Sequence, residues 1–137
     1  MNFPYIQYDF APSPRPVIPI RVELDGQSLR YSVLVDSGAD MNVFDRAIAE
    51  AMGIDVESGD AASFSGVTGS SSDLYFHDVV LGVGSRQVKV RAGFTDLPGK
   101  AYGVVGQRGF FDQFIVIFDL KAEEIELIPY ESPAARR

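Results

Sequence analysis

Apolar residues recur at every second position through this chain in short runs that turn signals interrupt. Ile18, Ile20, Val22 and Leu24 form the first run, and a period of two is that of a strand with one buried face. Asp25-Gly26 follows, a dipeptide suited to a tight hairpin turn, and the second run, over residues 29–35, closes on Val33-Leu34-Val35. Two more strands are predicted over residues 74–83 and 87–94, with Gly82-Val83-Gly84-Ser85 as the turn between them. Later, a short apolar strand ends at Val104-Val105-Gly106, a helical turn is predicted over residues 110–113, and strands follow over 114–118 and 124–128, the last stopped by Pro129. A short helix is predicted at Ala47-Ile48-Ala49-Glu50-Ala51-Met52, with Asp45 as N-cap and Gly53 as stop. Residues 57–73, rich in Ser, Gly and Asp, read as a flexible loop or hairpin tip. Many short strands with two short helices predict a mostly β, closed barrel-like fold.

The length of 137 residues supports one domain with a real core, and a composition of 46% hydrophobic and 23% charged residues is that of an ordinary globular protein. Four of the eight prolines fall in residues 1–16, so an extended, irregular arm is expected there, followed by a domain over 17–129 and a frayed tail over 130–137. A formal charge of -7 disfavours the phosphate neutralisation that nucleic-acid binding needs, so no nucleic acid is expected as partner. Without cysteine, and with His77 as the single histidine, the sequence offers no disulfide, thiolate nucleophile or multi-histidine metal site. No cofactor and no metal are expected. Met1-Asn2-Phe3-Pro4-Tyr5 does not begin a secretory signal, and the apolar run at 114–118 is far too short to cross a bilayer. The expectation is a soluble, cytoplasmic protein with no membrane partner.

Chemistry concentrates where the second run ends. Val33-Leu34-Val35 delivers the chain to Asp36-Ser37-Gly38-Ala39-Asp40, and a second apolar stretch begins at Val43-Phe44. A carboxylate leaving a buried strand stands where desolvation or a neighbouring charge can tune it, and the glycine permits a sharp turn. The bare tripeptide is a common strand-ending turn. Its context is not common: an apolar approach before it, and the apolar-apolar-glycine element Val104-Val105-Gly106 about seventy residues later. Together the two motifs closely resemble those of the retropepsin family of aspartic proteases.

That resemblance covers most of the chain and implies roles for particular residues. Asp36, with Ser37 and Gly38, matches the catalytic motif, and Val104, Val105 and Gly106 match the element that braces it from beneath. Ala39 and Asp40 match substrate-binding positions, although Asp40 is equally readable as a capping or solvated carboxylate near a helix start. Phe64-Ser65-Gly66-Val67-Thr68-Gly69 is the best match to the flap, so Ser65, Gly66, Val67, Thr68 and Gly69 are its substrate-contacting residues; an ordinary Ser/Gly surface loop is the other reading. Met41, Asn42 and Gln107 depart from the family pattern, which often places an arginine directly after the second glycine.

The mechanism implied is hydrolysis of a peptide bond by an activated water, with one carboxylate as base and a second, protonated carboxyl as acid. The chain holds one such motif, so the resemblance implies a homodimer with an Asp36/Asp36 dyad and an extended peptide or protein as substrate. The alternative is a catalytically weak or inactive module that keeps the fold for peptide binding or dimerisation. His77 lies within an alternating run and reads as a strand-surface imidazole.

Overall fold

A computed structural model of the chain describes residues 1–65, 71–99 and 101–131. In chain order the strands are β1 (Asn2–Pro4), β2 (Val17–Leu24), β3 (Gln27–Val35), β4 (Asn42–Asp45), β5 (Asp60–Ser65), β6 (Ser71–Val83), β7 (Arg86–Thr95), β8 (Gly103–Val105), β9 (Phe114–Asp119) and β10 (Glu124–Pro129). One helix, α1 (Arg46–Ala51), and a single 3-10 turn at Val56–Ser58 complete the description.

The predicted alternation becomes burial. In β2 the side chains of Ile18, Ile20, Val22 and Leu24 are all buried, while Pro19, Arg21 and Glu23 between them are exposed. β2 and β3 form the expected hairpin, with Leu24 opposite Gln27 and the turn residues Asp25 and Gly26 both at positive φ (50° and 80°), as a two-residue turn that follows the strand twist requires. Six strands run in the order β2-β3-β8-β4-β7-β6, and pairing of β2 with β6 closes them into a barrel. Closure removes the open edges that a flat sheet would present. β5 pairs outside the barrel with β6.

The interior sets aromatic clusters among aliphatic side chains. Phe44 and Phe94, both fully buried, meet edge to face at 5.8 Å between centroids, and Tyr31 meets Phe44 the same way at 5.4 Å. Each fully buried phenylalanine contributes about 1.5–3 kcal/mol of transfer free energy. The Tyr31 hydroxyl accepts the backbone N–H of Asp45 at 3.1 Å, and burial pushes its pKa up to about 12. α1 starts as expected: an Asp45 carboxylate oxygen accepts the Ala47 N–H, and Gly53 at φ 76° ends the turn.

Two expectations change in the folded chain. Most of 57–73 is strand: residues 60–65 of β5 pair with residues 71–76 of β6. Their Ser, Gly and Asp content disfavours strand locally, and the ladder offered by β6 overrides it. Residues 110–113 form the expected turn, with the N–H groups of Gln113 and Phe114 donating to the Phe110 carbonyl (2.9 Å and 3.1 Å), and a further short helix, of 3-10 type, is at Val56–Ser58. The proline-rich arm is not wholly irregular, because β1 adds to β10, and the three-stranded sheet β1-β10-β9 lies beside the barrel. Residues 132–137 of the expected tail lie outside the described residues. No helix among the described residues is long and apolar enough to cross a membrane.

Candidate active site

β3 and β8 run parallel, with Val33 opposite Gly103, Leu34 opposite Val104 and Val35 opposite Val105. Both strands therefore end at the same level, and two motifs distant in sequence emerge side by side. The Asp36 N–H donates to the Val105 carbonyl at 3.0 Å, which carries the ladder one residue beyond β3. There the chain turns: the Gly38 N–H donates to Oδ1 of Asp36 at 2.9 Å, and the Ala39 N–H donates to the Asp36 carbonyl at 3.1 Å. The carboxylate is thus held by its own loop, with its second oxygen left over for other chemistry. Asp36 is half-buried, while Ser37, Gly38 and Asp40 are exposed.

Gly106 closes the arrangement from below. A Cβ there would stand 2.5 Å from the Ala39 carbonyl oxygen and 2.7 Å from that of Met41, both backbone atoms. Only glycine lets the two segments approach this closely. The contact is then sewn by backbone hydrogen bonds, Gln107 N–H to the Ala39 carbonyl (2.9 Å) and Arg108 N–H to the Asp40 carbonyl (3.0 Å). Val105 is fully buried beneath the loop and Val104 half-buried.

Two residues that depart from the family pattern turn out to hold the site together. The Gln107 side-chain amide donates to the Ser37 carbonyl at 2.7 Å, across seventy residues of sequence. Asn42 is fully buried and saturated: its Oδ1 accepts the Gly106 N–H (3.1 Å), and its Nδ2 donates to the carbonyls of Gly109 (3.2 Å) and Arg91 (3.3 Å). A signal for Asn42 was present in the sequence, since an amide entering an apolar strand must find buried partners. For Gln107 there was none, because its target is a backbone carbonyl that only the fold brings near.

The remaining predicted positions divide. Asp40 is not the helix cap, a role taken by Asp45, and its carboxylate makes no hydrogen bond or ion pair among the described residues. Arg108 reaches Asp40 by backbone alone. Phe64 and Ser65 end β5, opposite Ser72 and Ser71; Gly66, Val67, Thr68 and Gly69, the rest of the expected flap, lie outside the described residues. His77 sits in β6 with Nε2 at 2.8 Å from the Val56 carbonyl, so this nitrogen carries the proton and the ring serves packing, edge-on to Phe94. Among the described residues no group of three or more His, Cys, Asp or Glu side chains is arranged to hold a metal ion.

A family model described as aspartyl protease matches residues 20–108, from within β2 through both motifs. The chain belongs to the aspartyl protease family. Two solved structures that share its fold are similar to it over most of its length. A retropepsin-like aspartic protease from Rickettsia conorii superposes with a TM-score of 0.63 at 11% identity, over 93% of this chain and 98% of that one. EIAV protease in complex with the inhibitor HBY-793 superposes with a TM-score of 0.52 at 22% identity, over 74% of this chain and 88% of that one. No curated protein matches the chain by sequence. The fold is therefore the retropepsin-like aspartic protease barrel, as the two motifs implied.

Proposed function

We propose that this protein is a homodimeric aspartic endopeptidase whose two Asp36 carboxylates form the catalytic dyad. The observation that carries the reading is the loop geometry: a half-buried carboxylate at the end of a barrel strand, fixed by the Gly38 N–H and braced beneath by Gly106. Such bracing is useful where a reacting group must be held in place, and it is more than a turn needs.

One chain supplies one Asp-Ser-Gly motif. A two-fold axis beside Asp36 supplies the second, and two carboxyls about 3 Å apart cannot both ionise readily, so they share a proton. The ionised member takes a proton from water and the protonated member polarises the scissile carbonyl, the pair titrating with apparent pKa values that belong to neither residue alone. In this dimer the exposed Ser37 hydroxyl bonds across the axis and stiffens the base of the site. Ala39 and Asp40 hold the substrate backbone, as does Ser65 at the end of β5.

The three-stranded sheet supports a place for the axis. β9 is one of its two outer strands among the described residues, the other being the three-residue β1, and the solvent face of β9 carries Ile115 and Ile117, each 44% exposed, beside Ile128 of β10. An apolar edge strand left open invites pairing with another chain. Antiparallel pairing of β9 with β9 of a second copy is isologous and makes one six-stranded sheet.

Incubation with a diverse peptide mixture from pH 4 to 7, with products read by mass spectrometry, tests the reading. Cleavage by the wild type that is absent in Asp36→Asn is expected. A confirmed dimer that cleaves nothing beyond the Asp36→Asn background would overturn it, and peptide binding by both forms without cleavage would favour a binding module.

A further inference from the structure

A cavity of about 850 Å³ opens one residue beyond Asp40. Its apolar lining includes Met41, Phe76, Ala61 and Ala62. Met41 and Arg108, both in the lining, form a parallel bridge, so the wall of the cavity continues the loop that holds Ala39 and Asp40. A volume of several hundred Å³ that combines apolar side chains with charged ones is that of a ligand pocket.

The charged side chains of the lining are Lys89, Arg91 and Arg108 against Asp60 and Asp112. They are not equally engaged. Arg91 is spoken for, with its guanidinium on the Asp60 carboxylate at 2.9 Å and over the Phe76 ring at 5.0 Å. Asp112 is partly satisfied by the Gly109 N–H and the Gln113 amide. Lys89 and Arg108 make no side-chain hydrogen bond or ion pair among the described residues. In a chain of formal charge -7, two unpaired cations on one cavity mark a local reversal of the field.

We propose that this cavity is a specificity pocket for an acidic side chain of the peptide substrate, with Arg108 and Lys89 as the residues that bind its carboxylate. The inference rests on the peptidase reading and adds the substrate class to it. Arg108 offers a planar fork suited to a carboxylate, and Lys89 offers a point charge from β7 on the outer wall. The methylenes of a glutamate lie on Met41 and Phe76. Because the overall charge repels acidic peptides, a preference for them comes from this pocket and not from general attraction.

The test uses three matched peptide sets that carry Glu, Gln or Lys at each of four positions on either side of the scissile bond. Cleavage is measured with the wild type, and binding is measured by fluorescence polarisation with the full-length Asp36→Asn protein. At one position Glu is expected to exceed Gln about tenfold in kcat/KM and in affinity, the size of one hydrogen-bonded charge contact. In Lys89→Gln/Arg108→Gln that ratio is expected to fall to near one, and in Arg108→Glu a Lys peptide is expected to overtake the Glu peptide. Arg30→Gln, a charge change on β3 outside the pocket lining, is expected to keep the ratio. Cleavage with no Glu preference at any position, or with a preference that survives in the double variant, would overturn the inference and leave the peptidase reading standing. Binding with a Glu preference that depends on Arg108 and Lys89, but without cleavage by the wild type, would uphold the pocket and remove the peptidase. Neither cleavage nor selective binding removes both.

Discussion

Asn42 and Tyr31 show how single side chains support the site from inside the barrel. Asn42 hydrogen-bonds three backbone groups at once, the buried Gly106 N–H and Gly109 carbonyl and the part-buried Arg91 carbonyl. Asn42→Ala leaves all three without partners, so a loss of at least about 2 kcal/mol is expected in urea denaturation, with peptidase activity falling alongside it as the Gly106 brace loosens. Asn42→Leu is expected to fare no better, since it fills the space and still leaves the backbone groups unpaired. Tyr31 acts differently. Burial raises its pKa from 10.0 to about 12, ahead of the smaller effects of the Asp45 backbone and carboxylate. A raised pKa means that the unfolded chain gives up this proton first, so the contribution of Tyr31 to stability is complete below pH 10 and is lost as pH rises towards 12. Midpoints of chemical denaturation measured across that window are expected to fall for the wild type and to fall less steeply for Tyr31→Phe. At neutral pH the same variant is expected to lose about 1 kcal/mol with the hydrogen bond to Asp45.

At the level of elements, β9 poses the clearest question, because a strand with Ile115 and Ile117 outward and one edge unpaired among the described residues is poorly suited to a free monomer. Ile117→Lys places a charge in the centre of that edge. Sedimentation is expected to show the variant as a monomer at concentrations where the wild type is dimeric, with activity lost in parallel. Monomer stability is expected to stay within about 0.5 kcal/mol, as for exposed substitutions generally. A variant that stays dimeric would place the axis elsewhere. The β5 strand teaches a separate lesson. Its sequence, Asp60-Ala61-Ala62-Ser63-Phe64-Ser65, carries no alternation that separates it from a loop, and its strand character comes from the long β6 partner. Strands such as β2, whose buried and exposed residues alternate from Ile18 to Leu24, were legible because their own pattern matches the face they bury.

For the molecule as a whole, the proposal makes activity a property of two chains. Mixing wild type with excess Asp36→Asn, under conditions that allow subunits to exchange, is expected to suppress cleavage beyond simple dilution, because mixed dimers hold only one native Asp36. Activity that instead tracks the wild-type concentration alone would show that one chain suffices. Specific activity is also expected to fall on dilution through the dimer dissociation constant, and substrate to oppose the fall by mass action.

From sequence alone, the period-two runs determined a β barrel, and the order of the two motifs determined which one. Asp36 was legible because an apolar strand ending in Asp-Ser-Gly is unusual beside a later Val-Val-Gly, and Asp45 and Gly53 because helix ends have local chemical needs. The tertiary structure alone decided that Gly106 must be glycine, since the clash that forbids a side chain is with the backbone of Ala39 and Met41, distant in sequence. It also turned Gln107 and Asn42 from departures into braces, and it gathered Lys89 and Arg108 from β7 and the post-β8 turn onto one cavity. The division follows from the range of the forces involved: alternation and capping act between neighbours along the chain, whereas close approach, buried hydrogen bonds and shared cavities exist only once the barrel has closed.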